Sequence, residues 1–151
     1  MGEEAFGAYL VLRWGDPADV TEYLCHLVRD GFEPVLVSPA DMVLPSDMEI
    51  EALPPEQGER NLGKGSGPRI CRALREHLRT GERRAVVIYG LQLLREGSFR
   101  ELTDMIDMLY DEACVNHGLV LLFADPAGFT PQELAFLRRE TSAIERPEQL
   151  P

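Results

Sequence analysis

Apolar residues along this chain fall into two alternating patterns: short unbroken runs, and longer stretches in which they recur every three or four positions. The first run, AYLVLR at 8–13, is closed by Gly15-Asp16-Pro17 and predicts a buried strand. Asp16 as N-cap and Pro17 at the first helical position then open a helix. Its Val20, Leu24, Leu27 and Val28 form one stripe, and Gly31 stops it. PVLVS at 34–38 is a second strand, closed by Pro39. Strand, helix and strand within about 30 residues predict a parallel pair joined by a right-handed crossover.

Between 39 and 68 five prolines and four glycines break the periodicity, and only MEIEAL at 48–53 alternates, as an edge strand would. Helical spacing resumes at Arg69 with Ile70, Leu74 and Leu78, and Gly81 ends it; AVVIY at 85–89 follows as a strand. Ser98 caps a long helix in which Phe99, Leu102, Met105, Ile106, Leu109, Tyr110 and Ala113 keep 3/4 spacing until Gly118. LVLLFA at 119–124 is the most apolar strand, broken by Asp125-Pro126. Thr130-Pro131-Gln132-Glu133 has the form of a capping box, and Leu134, Leu137 and Ile144 mark the last helix. Continuous apolar strands separated by helices predict an α/β three-layer sandwich with a mainly parallel sheet of four or five strands. The expected organisation is one domain over 1–145, an irregular Pro/Gly-rich insertion at about 39–67, and a disordered tail at 146–151.

Composition narrows the function classes. The 151 residues are 44% hydrophobic, enough for one self-sufficient core. A net charge of −11 opposes phosphate backbones and anionic headgroups, so neither nucleic acid nor membrane is an expected partner. The start, MGEEAFGAYL, lacks the basic and apolar regions of a signal peptide, which together with three scattered cysteines (Cys25, Cys71, Cys114) predicts a cytoplasmic protein with buried free thiols.

The segments AVVIYGLQLLREGSFRELTDMIDMLYDEACVNHGLVLLFADP and TPQELAFLRRE resemble the family called domain of unknown function 835, an archaeal, signalling-associated family. Its pattern is an apolar strand, a Gly-aromatic-Leu segment, a turn and Phe, a helix containing Asp, and a strand ending in Asp-Pro before Glu-Leu. GAYLVLR and GFEPVLVS agree more loosely with its opening strands. The resemblance covers most of the chain outside 39–67 and implies a signalling or scaffold role rather than a reaction. The strand order is also similar to RecA-like ATPases of the KaiC type, in a degenerate form. Residues 14–21 stand where the phosphate loop would be, yet hold one Gly, no Lys and two Asp.

Other candidate chemistry is sparse. Gly63-Lys64-Gly65-Ser66-Gly67 has no preceding strand and reads as a linker, the alternative being an anion held at the helix start near Arg69. His26, His77 and His117 are too scattered for a metal motif, and Asp104, Asp107 and Asp111 read as the solvent side of their helix. No metal, cofactor or catalytic set is expected. Charge is uneven: residues 61–97 hold 8 basic and 3 acidic side chains, against 3 and 13 in 1–60 and 4 and 10 in 98–151. Arg69, Arg72, Arg75 and Arg79 share one helix face, either solvated and paired internally or a docking face for an acidic partner or a second copy. The leading expectation is therefore a non-catalytic regulatory or protein-interaction domain in signal transduction. The alternative is a small-ligand or nucleotide sensor, without hydrolysis, binding at Trp14, Ser38, Tyr89 and Asp125, which end or follow the four strands on one sheet edge.

Overall fold

The computed structural model describes residues 7–14, 16–37, 51–52, 66–95 and 98–150. Strands β1 (Gly7–Val11), β2 (Glu33–Val37), β3 (Glu51–Ala52), β4 (Arg84–Tyr89), β5 (Leu119–Phe123) and β6 (Ser142–Ala143) form one sheet in the order β3-β2-β4-β5-β1-β6. Every pairing is parallel. The helices are α1 (Pro17–Arg29), α2 (Ser66–Arg79), α3 (Phe99–Val115) and α4 (Pro131–Glu140). The three-layer α/β sandwich is thus the architecture, with six strands where four or five were expected. β3 falls inside the alternating MEIEAL segment read as an edge strand; the additional one is β6, a two-residue edge too short to leave a periodic signal. Among the described residues no helix is long and apolar enough to cross a membrane.

Strand side chains alternate between two cores, which is why the runs look continuously apolar in sequence. Ala8, Leu10, Val86, Ile88, Val120 and Leu122 face the layer of α2, α3 and α4. Tyr9, Val11, Val87, Leu121 and Phe123 face Val20, Tyr23, Leu24 and Leu27 of α1. One helix does not cover that second face, and the chain's C-terminal segment completes it. Residues 146–150, expected as part of a disordered tail, form a 3-10 turn over Pro147–Gln149, and Leu150 is only 5% exposed in the α1-side core. Ile144 belongs to the same core and lies beyond α4, not on it.

The capping signals act as read. Asp16 Oδ1 accepts from Ala18 N at 3.0 Å, Ser98 Oγ from Glu101 N at 3.3 Å, and Thr130 and Glu133 make both bonds of a capping box. Stripe boundaries shift: Val28 and Tyr110 are exposed, and of the three free cysteines only Cys71 is buried, its thiol pushed up by desolvation. Helix α2 begins at Ser66, inside the stretch read as linker, whereas Lys64 and most of 39–67 lie outside the described residues.

Candidate functional site

In open parallel sheets the crevice for ligands lies outside the C-terminal strand ends, where neighbouring strands send their helices to opposite faces. Here those neighbours are β1, followed by α1, and β5, followed by α4. Trp14, Tyr89 and Asp125 stand at this edge, and Ser38 lies outside the described residues. Trp14 is 39% exposed and its ring centroid is 6.1 Å from that of Tyr89, which in turn packs on Phe123 at 5.6 Å. Gly90 permits this approach: its φ is +105°, and a Cβ there would lie 2.9 Å from the indole Nε1.

Several described polar groups of the edge are engaged by the chain itself. Asp125 Oδ1 accepts from Ala127 N at 2.9 Å and so caps the turn that follows, while Gln92 Oε1 accepts from the Asp125 backbone N–H at 2.9 Å. Asp16, where a phosphate loop would offer bare N–H groups, caps α1. Arg13 Nη2 donates to Tyr23 Oη and to the Glu145 carbonyl oxygen, each at 2.9 Å. Burial pushes the Tyr23 hydroxyl above its usual range, against the pull of Arg13. The edge therefore presents an aromatic pair and capped carboxylates.

The arginine face of α2 divides in two. Arg75 and Arg79 both reach Glu112 on α3, at 3.3 and 2.7 Å, whereas Arg72 is exposed and makes no ion pair among the described residues. The side chain of Arg69 lies outside the described set. Hydrogen bonding from Arg79, then from Arg75, holds the Glu112 carboxyl below its ordinary value, against a partial desolvation that raises it. A depressed carboxylate stabilises the fold above its ordinary value of about 4.3 and loses that contribution as pH falls through the folded value. Replacing Glu112 by Gln is expected to lower the melting temperature at pH 7 by less than about 4 °C, because water and salt screen the clamp. The difference from wild type is expected to narrow as pH falls below about 4.3 toward 3. Melting curves at both pH values check this, and an unchanged difference at pH 3 would show that the effect is not the charge pair.

On the other side of α3, the Asp107 carboxyl is raised by desolvation and by the neighbouring Glu140, Asp104 and Asp111. Among the described residues no cluster of three His, Cys, Asp or Glu side chains is arranged to hold a metal ion.

No family model and no curated protein matches this chain. What remains is its own geometry, which also contains a grouping that sequence reasoning missed. A cleft of about 650 Å³ opens beside β1 and β6, with three arginines, Arg13, Arg138 and Arg146, and one acid, Glu145, on its walls. The three come from the exit of β1, the end of α4 and the turn after β6. The side chains of Arg138 and Arg146 are exposed and make no hydrogen bond or ion pair among the described residues.

Proposed function

We propose that this chain is a non-catalytic regulatory domain of the cytoplasm, of the signalling-associated kind that its resemblance to domain of unknown function 835 implies, and that it works by binding an acidic protein surface through α2. The observation that carries this reading is the division on α2: Arg75 and Arg79 are both tied to Glu112, and Arg72, on the same face, is left exposed and unpaired among the described residues. An exposed arginine contributes little to stability but can grip carboxylates in pairs across an interface. In a chain at −11, the simplest acidic surface is a second copy. The Asp125 and Asp16 carboxylates, the acids nearest the strand ends, are engaged as caps, which agrees with a binding role rather than acid–base work.

Sedimentation velocity of wild type and Arg72→Glu, at about 50 and 300 mM salt, tests it. Wild type is expected to associate with rising concentration at low salt and less so at high salt. Arg72→Glu is expected to stay monomeric, with its circular dichroism and melting temperature unchanged. A wild type that is monomeric at every concentration, or a variant that associates equally, would overturn the reading.

A further inference from the structure

The cleft beside β1 differs from the rest of the surface in charge. Residues 98–151 carry 10 acids and 4 bases, yet two of those bases, Arg138 and Arg146, meet Arg13 here. Four other arginines are tied to acids: Arg75 and Arg79 to Glu112, Arg84 to Glu33, and Arg95 to both oxygens of Glu133. We propose that the cleft binds a small, multiply charged oxyanion, a compound bearing phosphate groups or several carboxylates.

Three features support this chemistry. Arg13 is oriented by neutral acceptors, the Tyr23 hydroxyl and the Glu145 carbonyl, so its place is fixed while its charge is not cancelled. The turn that carries Arg146 is pinned as well, since Gln149 Oε1 accepts from the backbone N–H groups of Glu145 and Arg146 at 2.7 and 2.9 Å. Arg138 is fixed in position by α4, whose capping box and buried Leu137 hold it against the sheet. Three guanidinium groups on separate elements, two of them without an internal partner among the described residues, match a ligand with several charged oxygens better than a single carboxylate. About 650 Å³ suits a small molecule, and Leu12 and Ile144 give the walls apolar surface for its carbon skeleton. The place is one strand outward from the β1/β5 crevice, on the edge where parallel sheets take ligands. This site is independent of α2 and of any protein partner there.

Calorimetric titration of the full chain in about 50 mM salt, with pyrophosphate in one arm and citrate in the other, tests the proposal. At least one is expected to bind at one site per chain and to raise the melting temperature. Joint replacement of Arg138 and Arg146 by Gln is expected to weaken it by about tenfold or more, whereas Arg29→Gln, at the exposed end of α1, leaves it unchanged. Binding of pyrophosphate alone identifies a phosphate ligand, and of citrate alone a polycarboxylate. The proposal fails if neither anion binds below about 10 mM, or if Arg29→Gln weakens binding as much as the double variant, which would mark diffuse attraction. Melting without anion serves as the folding control, and Arg146→Gln alone replaces the double variant if that does not fold.

Discussion

Replacing Leu122 by alanine is expected to lower the unfolding free energy by about 2–5 kcal/mol and the melting temperature by about 5–15 °C. Leu122 is fully buried on β5, the strand held between β4 and β1, and its side chain enters the core shared with α2, α3 and α4. Its neighbours across the sheet are Leu10 on β1 and Ile88 on β4, both fixed by parallel ladders, so the sheet cannot collapse into the space left behind. The loss therefore combines the transfer energy of the removed atoms with an unfilled cavity. Val115→Ala is the control: that side chain is 76% exposed at the end of α3, and the change is expected to stay within about 0.5 kcal/mol. Urea unfolding measures both, with an unchanged slope showing that only stability moved. A loss below about 1 kcal/mol at Leu122 would contradict a close-packed layer beneath α3.

The parts of this fold that could be read from the chain are those whose causes are local. Val86 to Ile88 and Val120 to Leu122 are apolar at every position because successive side chains enter opposite cores, and no surface strand would keep such a run. Asp16, Ser98 and Thr130 announced helices because a cap and the N–H it satisfies are two or three residues apart. The illegible parts depend on distant segments. Leu150 is buried because α1 alone cannot cover its side of the sheet, a fact absent from ERPEQLP itself. Glu112 gives no sign in sequence of capturing Arg75 and Arg79, which precede it by 37 and 33 positions.

The candidate sites divide along the same line. Trp14, Tyr89 and Asp125 could be named in advance because the end of a parallel strand is itself a site signal. That signal gave their edge but not their use: Asp125 caps a turn, and Tyr89 is buried between Trp14 and Phe123. Arg13, Arg138 and Arg146 share no motif, since their grouping requires β6 to return α4 to the free side of β1. The only trace was charge, two arginines within the otherwise acidic C-terminal third.

Gly118 supplies the second large effect, and for a reason different from the one its position implies. A glycine after a long helix is expected to take the left-handed conformation that stops it. In α3 that conformation falls on His117, with φ of 56°, and Gly118 is needed for space instead. A Cβ at 118 would lie 2.7 Å from the Arg84 carbonyl oxygen and 3.0 Å from Leu78 Cδ2, so the added carbon meets backbone as well as a buried side chain. The residue's own N–H is meanwhile fixed on Ala113 O at 2.7 Å, which prevents it from backing away. Gly118→Ala is expected to cost about 1–3 kcal/mol, and Gly118→Val more, with soluble expression falling as α3, α2 and β4 are forced apart. Gly31→Ala makes the comparison that separates the two causes. Gly31 has a φ of +87° but meets only Arg83 Nε, at 3.4 Å, so its cost is conformational and expected near 1 kcal/mol. If Gly118→Ala proves milder than Gly31→Ala in urea unfolding, close packing between the end of α3 and the start of β4 is not what holds this corner.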